Sequence, residues 1–266
     1  MALSPAVMGI VNVTPDSFFP ASRTWGAEEA IARGMAQFSQ GADVVDVGGE
    51  STRPGASPVD DEEELRRVVP VVRALAALGP VSIDTQKESV ARAAIAAGAS
   101  VLNDVSSQLV ELAGELKVGY VAMHRQGDSR VMQDNPTYTD VVAEISDFLA
   151  GVAEDARRAG VGPLWLDPGI GFGKTVEHNL TLLARCDHFV ELAARYGAGV
   201  MIGTSRKRFL SHLGRDTLDV DERLEASVAT AAWAMVQGVS MVRVHDVRET
   251  VQLRDLLATV PEAVTP

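Results

Sequence analysis

The chain has 266 residues, of which 46% are hydrophobic and 23% are charged, and its formal net charge is −12 at pH 7. A chain of this length and apolar content can bury a large core, which excludes a disordered or low-complexity protein. The negative charge argues against a surface for nucleic acid or anionic membrane, because phosphate groups would repel it. We therefore expect no nucleic-acid partner and no membrane partner, and any bound anion must meet a local group of cations.

The chain contains one cysteine, Cys186, which we expect to be packed or at the surface and not catalytic. A single cysteine excludes an internal disulfide and favours a reducing compartment. The first residues, MALSPAVMGIVNV, lack the basic end and long apolar stretch of a secretory signal, and no apolar run is long enough to span a bilayer. These features predict a cytoplasmic protein.

Short apolar runs rich in β-branched residues recur along the chain, and each is typical of a buried strand. The eight predicted strands are residues 7–11, 44–47, 81–83, 100–102, 120–122, 164–166, 199–202 and 241–244. Amphipathic segments between them predict helices at residues 27–39, 61–77, 88–97, 109–116, 139–159, 178–195, 221–237 and 248–260. This alternation predicts the α/β class, with one (β/α)8 barrel as a single domain over residues 1–266.

A doubly wound open sheet is the alternative arrangement of the same elements. Its dinucleotide-binding form carries a glycine-rich turn after the first strand. Here that position reads Asn12-Val13-Thr14-Pro15, so the barrel is favoured.

Residues with functional groups follow every predicted strand. They include Asn12, Asp46, Asp84, Asn103, Asp104, His124, Asp167, Ser205, Lys207, Arg243, His245 and Asp246. The carboxyl ends of barrel strands converge on the face that carries the active site. One Asp or Asn at a strand end is more typical of a helix cap or a turn, but eight such placements predict a functional site.

The acidic and amide groups indicate one part of the ligand. Asp84, Asn103 and Asp167 suit a small planar molecule rich in N–H donors, because a buried carboxylate is tolerable only when it is paired with donors. Asp167 also opens the stretch DPGIGFGKT, whose glycines at 169, 171 and 173 allow backbone to approach a ligand. A purely structural turn is the alternative interpretation of that stretch.

The cations indicate the other part, and we expect them to face the acidic wall. Arg53, Lys207, Arg243 and His245 suit phosphate or pyrophosphate, and Asn12 adds a neutral oxygen for a Mg²⁺ held mainly by phosphate oxygens and water. Structural salt bridges are the competing account of the cations, above all for Arg206 and Arg208.

The segments MGIVNVTPDSF, DVGGESTRPGA, SIDT, LNDVS, MH, LDPGIGFGKT, GTSRKRF and VRVHDV occur in this order along the chain. In order and spacing they resemble the dihydropteroate synthases, (β/α)8 enzymes of folate biosynthesis, over nearly the whole chain. The resemblance implies a transferase that joins 6-hydroxymethyl-7,8-dihydropterin pyrophosphate to p-aminobenzoate, releases pyrophosphate and is a target of sulfonamides.

The resemblance also implies residue roles. The pterin would meet Asp84, Asn103, Met123, Asp167, Gly203 and Lys207. The pyrophosphate would meet Asn12, Arg53, Arg243 and His245, with Asn12 also a ligand of Mg²⁺. The p-aminobenzoate would meet Phe18, Thr52, Pro54, Phe172, Ser205 and Lys207. Lys207, Asp84 and Asp167 are the predicted catalytic residues. For His124 a site role and a local hydrogen bond stay equally open, and Lys174 is expected to lie at the start of the sixth helix.

Some positions depart from the family pattern. The first loop reads SFFPASRTWG, with Pro20 in place of the usual aspartate, and Ser107-Gln108 replaces two glycines, which predicts a short fourth helix. Two alternatives therefore stay open: a non-catalytic pterin-binding paralogue and a methyltetrahydrofolate-dependent methyltransferase. The family also implies a homodimer, in which the apolar residues 226–235 pack either on the partner or on the barrel.

Overall fold

The computed structural model describes residues 4–13, 25–51, 58–127, 131–212 and 217–259. Its strands are β1 (Ala6–Asn12), β2 (Val44–Gly48), β3 (Val81–Asp84), β4 (Val101–Asp104), β5 (Gly119–Met123), β6 (Leu164–Asp167), β7 (Gly199–Ile202) and β8 (Met241–Val244). Each strand pairs in parallel with the next, and β8 pairs with β1, so the sheet closes. The predicted (β/α)8 barrel is confirmed, and the open sheet is wrong.

The helices within the described ranges surround the barrel. They are α1 (Trp25–Ser39), α2 (Asp61–Ala76), α3 (Glu88–Ala96), α4 (Val110–Leu116), α5 (Val141–Ala159), α6 (Val176–Ala184), α7 (Cys186–Ala194), α8 (Leu224–Val236) and α9 (Val247–Thr259). None of them has the length and apolar content that crossing a membrane requires. The fourth helix is short, as expected, with seven residues.

Two predicted helices differ from those observed. The helix predicted at residues 178–195 is divided into α6 and α7 at Arg185, whose φ of −114° leaves the helical range. A 3₁₀ turn at Val220–Glu222 precedes α8, so the helix predicted from residue 221 begins at Leu224. Apolar periodicity continues across both breaks, which is why the sequence does not locate them.

The barrel interior is filled in layers. Its floor is an apolar cluster of Met8, Val44, Val101, Val121, Met201 and Met241, with Trp165 packed against it. Side chains alternate along a strand, so the residue two positions further on shares the same face. That rule places the following residues in the next layer, toward the carboxyl ends: Ile10, Asp46, Asn103, Met123, Asp167, Gly203 and Arg243. A mostly polar layer therefore lies directly above an apolar floor. Asp84, at the end of β3, joins it beside Asn103 and through Arg243, and we call this set the polar layer.

A buried ion cluster ties α2 and the start of α3 to the end of β2. The ammonium of Lys87 donates to Glu50 Oε2 at 2.6 Å, to Glu64 Oε2 at 2.5 Å and to the carbonyl of Val59 at 2.7 Å. Glu64 is buried, and within the described ranges its Oε1 has no hydrogen-bond partner. Because Lys87 is the cation beside this buried carboxylate, the cluster depends on it.

Replacing Lys87 with methionine is expected to lower the free energy of unfolding by about 3 kcal/mol near pH 7, because it leaves a buried carboxylate unpaired. Chemical denaturation measures the change. Arg92→Met is the control, since Arg92 forms its salt bridges on the exposed surface and its loss is expected to leave stability close to wild type. Equal losses in the two variants would contradict the role given to Lys87.

Candidate active site

The polar layer brings two acids and an arginine from distant parts of the chain into contact. Arg243 on β8 donates from Nε to Asp46 Oδ2 and from Nη2 to Asp84 Oδ2, both at 2.7 Å. Asn103 Nδ2 donates to the same Asp46 oxygen at 3.0 Å. We expected the acids and the cations to face each other across the site. Instead, Arg243 lies directly between two of the acids.

Asp46 belongs to this network, although sequence reasoning gave it no role. It is fully buried in the middle of β2, and no residue in the described part of the chain gives its Oδ1 a hydrogen bond. The available signal was the run VVDVG, where an acid occupies the same face of the strand as Val44. An acid in such a buried position requires a cationic or N–H partner, and among the described residues the distant Arg243 and Asn103 provide it.

Crowding of acids affects the protonation of Asp84. Burial raises its pKa to about 7, and the neighbouring carboxylate of Asp46 adds to the rise, while Arg243 opposes it. Asp84 therefore gains or loses a proton easily near neutral pH, and N–H donors from a ligand would favour its ionised form.

The glycine loop after β6 forms a second wall of the site. Asp167 Oδ1 accepts a hydrogen bond from the backbone N–H of Gly169 at 2.7 Å. Lys207, which follows β7, donates from Nζ to the carbonyl of Ile170, and the same Nζ lies 4.5 Å from the centre of the Phe172 ring. The predicted residues Asp167, Phe172 and Lys207 therefore come together around this loop.

Burial also affects the charges on this wall. It raises the pKa of Asp167, against the effect of the Lys207 ammonium. It lowers the pKa of Lys207 to about 8; Asp167 opposes this shift, and Arg243 adds to it. Both ionised forms are thus costly in the folded protein, and a ligand that supplies complementary groups would relieve that cost.

The other predicted site residues line the same end of the barrel. Met123, at the end of β5, is buried beside Gly169. Gly203 lies next to Arg243 and Lys207, where a side chain would occupy space between the two cations. Ser205 Oγ lies 3.0 Å from His245 Nδ1, and Asn12 is half-buried at the end of β1. Phe18, Pro20, Thr52, Arg53 and Pro54 lie outside the described residues.

We expected Lys174 to lie at the start of the sixth helix. In the structure it precedes that helix and is buried. Thr175 is the N-cap of α6, and Lys174 is buried in front of it, with Nζ 3.1 Å from His124 Nδ1. Burial lowers the pKa of Lys174 to about 7 and that of His124 to about 3.

Structural salt bridges were the competing explanation of the cations, and this explanation holds for Arg206, which forms a salt bridge with Asp246. Arg208 is exposed.

These features define the class of protein. Acceptors for N–H groups and half-buried cations share one polar layer at the carboxyl ends of the strands, where barrel enzymes carry their active sites. Among the described residues no group of three or more His, Cys, Asp and Glu side chains is arranged to hold a metal ion. The chain is thus a (β/α)8-barrel enzyme whose described site suits a polar organic ligand with an anionic group.

Comparison with known proteins identifies the family. A model described as pterin binding enzyme matches residues 8–245. The dihydropteroate synthase of Mycobacterium leprae is 45% identical over 94% of this chain and 92% of its own, and that of Escherichia coli K12 is 42% identical over 93% and 89%. The solved dihydropteroate synthase of Xanthomonas albilineans with 4-aminobenzoic acid superposes with a TM-score of 0.88 at 43% identity, covering 98% and 95% of the two chains. The Yersinia pestis enzyme with a sulfonamide drug complex also gives 0.88, at 38% identity over 97% and 94%.

The chain therefore belongs to the pterin-binding enzyme family, and within it to the dihydropteroate synthases, which are transferases of folate biosynthesis. These matches support the synthase interpretation of the sequence and not its two alternatives.

Proposed function

We propose that this protein condenses 6-hydroxymethyl-7,8-dihydropterin pyrophosphate with p-aminobenzoate to give 7,8-dihydropteroate and pyrophosphate. The observation that carries the proposal is the polar layer, in which the acceptors of Asp84, Asn103 and Asp167 occur together with the cations of Arg243 and Lys207. A pterin linked to a pyrophosphate requires both kinds of group, acceptors for its ring N–H donors and cations for its phosphates.

The pterin ring is assigned to the wall formed by Asp84, Asn103, Met123, Asp167, Gly203 and Lys207. Carboxylates in this layer are costly to ionise because they are buried. Ring N–H groups of a bound pterin would donate to Asp84 and Asp167 and so stabilise the charged form. The missing side chain at Gly203 leaves room beside Arg243 and Lys207 for the ring.

The pyrophosphate is assigned to Asn12, Arg243, His245 and Arg53. Mg²⁺ is the proposed cofactor, and Asn12 provides a neutral oxygen of the kind that this ion accepts. The ion would be held mainly by pyrophosphate oxygens and water. Its contribution when bound would be to neutralise charge on the leaving pyrophosphate.

The p-aminobenzoate is assigned to the face of Phe172 and Lys207, with Ser205, Thr52, Pro54 and Phe18 as further contacts. In the proposed substitution the methylene carbon–oxygen bond breaks, and its electron pair leaves with the pyrophosphate. Asp84 and Asp167 stabilise the positive charge that the pterin then shares, and Arg243 and Lys207 stabilise the leaving anion. The amine nitrogen bonds to the methylene carbon and releases a proton.

We also propose that the protein is a cytoplasmic homodimer. Trp233 and Val236 on α8 are exposed by 47% and 59%. Exposed apolar side chains on one helix suit a contact between two copies of the chain.

A turnover assay tests the proposed activity. The purified protein is mixed with the pterin pyrophosphate, labelled p-aminobenzoate and Mg²⁺, and we expect labelled dihydropteroate that is lost when EDTA is added. Pterin binding without any product would defeat the proposal in favour of the non-catalytic paralogue.

The pH dependence of the reaction gives a second expectation. Because the pKa of Lys207 is lowered to about 8, its ammonium is present below that pH and lost above it. We expect kcat/KM to fall by about tenfold per pH unit above this value. Lys207→Arg is expected to lack this limb, because a guanidinium stays charged. A wild-type profile that is flat up to pH 10 would contradict the role of the ammonium.

A further inference from the structure

Lys174 is a buried lysine that the proposed reaction does not use. Only 3% of its surface is exposed. Its Nζ donates to the carbonyl of Phe172 at 2.9 Å and lies 3.4 Å from the carbonyl of His124 and 3.1 Å from His124 Nδ1. Three acceptors thus match the three hydrogens of an ammonium, and all three are uncharged. Burying a lysine is costly unless its hydrogens find acceptors, so the three acceptors must be held in a specific arrangement around Nζ.

His124 is fixed in turn by aromatic neighbours. Its ring packs edge-on against Phe148, with 5.0 Å between centres, and lies 6.0 Å from the ring of Tyr138. The low pKa of His124 keeps the imidazole neutral, so Nδ1 accepts from Lys174 and the ring proton resides on Nε2. The pair therefore joins the end of β5 to the residues that follow β6.

The loop between Asp167 and Lys174 is held at successive carbonyl groups. Lys207 binds the carbonyl of Ile170, Gln133 Nε2 donates to that of Gly171 at 2.6 Å, and Lys174 binds that of Phe172. The hydroxyl of Tyr138 donates to the carbonyl of Gly173 at 2.9 Å. Lys174 thus fixes the backbone of the residue whose ring lies against Lys207.

We propose that Lys174, acting through His124 and the Phe172 carbonyl, is a positioning residue for the p-aminobenzoate side of the site. It holds the Phe172 ring against Lys207 and touches neither substrate. The inference rests on the proposed function, because the Phe172 face has a substrate only if that reaction takes place.

Steady-state kinetics of Lys174→Met and His124→Leu test the proposal. We expect each to raise KM for p-aminobenzoate by about tenfold or more while the Kd of pterin pyrophosphate changes by less than about threefold. His124→Asn retains an oxygen acceptor close to the position of Nδ1, so its rise in KM is expected to be smaller than that of His124→Leu. Equal effects on both substrates, or no effect on p-aminobenzoate, would overturn the proposal.

Stability and function are separated by a control and a second readout. Leu75→Ala removes a fully buried side chain on α2 and is expected to cost about 2–5 kcal/mol without a selective rise in KM for p-aminobenzoate. Hydrogen exchange in the unliganded protein reports the loop directly, and the Gly171 and Phe172 amides are expected to exchange about tenfold faster in Lys174→Met and His124→Leu. Unchanged exchange contradicts the proposal.

The two proposals fail in different ways. A wild-type protein that makes no dihydropteroate defeats the proposed function, and amide exchange then decides whether Lys174 positions the loop. If Lys174→Met does not fold, His124→Leu decides the kinetic prediction. That variant keeps the contacts of Lys174 with the backbone carbonyls of residue 124 and Phe172.

Discussion

Replacing Lys207 with methionine is expected to lower kcat/KM by about 100-fold or more, the largest effect on activity among the described side chains. The variant loses the cation over the Phe172 ring, the donor to the Ile170 carbonyl and the positive charge nearest to Asp167. A hydrogen bond to a charged group in a buried site contributes about 1.5–3 kcal/mol, and several such contacts are lost together.

The stability of the same variant is expected to move little. The folded state binds fewer protons than the unfolded chain between pH 8 and 10.5, because burial lowers the pKa of Lys207. The lysine therefore disfavours the folded state below about pH 8, and this penalty disappears as the pH rises. Methionine carries no such penalty, and this gain offsets the loss of the contacts with the Ile170 carbonyl and the Phe172 ring. The free energy of unfolding near pH 7 is therefore expected to stay within about 1 kcal/mol of wild type.

Arg208→Met is the matched control for activity, since it removes the adjacent, exposed cation. Steady-state kinetics and chemical denaturation of the two variants complete the comparison. Similar kcat/KM values for Lys207→Met and the wild type would contradict the site assigned to Lys207. A large loss in Arg208→Met would show that net charge near the mouth matters more than the buried ammonium.

Replacing Gly169 with alanine is expected to cause a large loss of stability, more than about 3 kcal/mol. Gly169 has a φ of +69°, a region that residues with a side chain rarely adopt. A Cβ there would also overlap the carbonyl oxygen of His124, at 1.8 Å. The backbone fixes the position of the Cβ and of the His124 carbonyl oxygen. No rotamer change therefore relieves the overlap, and the loop must move.

Gly160→Ala isolates the conformational part of this cost. Gly160 ends α5 with a φ of +70°, and a Cβ there meets nothing within 4 Å. Only strain remains, about 1 kcal/mol. Thermal and chemical denaturation measure both variants. Equal losses at the two glycines would show that the His124 carbonyl yields easily. Where Gly169→Ala folds, we expect it to bind p-aminobenzoate weakly, because the displaced loop carries Phe172.

Much of the site could be predicted because a barrel imposes two simple rules. Strand ends converge on one face, and alternate side chains share a layer. Residues at strand ends, such as Asp84, Asn103 and Asp167, therefore lie on the same face of the barrel for any conformation of the loops. The order of polar and apolar positions along each strand can be taken directly from the sequence. In β4, for example, Val101 lies in the apolar floor and Asn103, two positions later, lies in the polar layer.

The residues that these side chains contact could not be predicted from neighbouring positions in the sequence. Arg243 is predicted to bind the anion, and the structure adds its contacts with Asp46 and Asp84, which are 197 and 159 positions away. Nothing near Lys174 in the sequence marks it as the partner of His124, which is 50 positions earlier. Contacts across a closed barrel depend on its register and diameter, and these emerge only when all eight strands are assembled.

The stretch that ends β6 shows the division. By itself the sequence determined that a buried strand delivers an acid to a glycine-rich loop, because strand periodicity and the conformational freedom of glycine are local properties. Only the tertiary structure decided that this loop is held by two lysines, Lys174 at the carbonyl of Phe172 and Lys207 at the carbonyl of Ile170. The reason is that Lys174 also binds His124, 50 positions earlier, and Lys207 binds a loop 37 positions earlier, and contacts over such separations give no signal in the order of the residues.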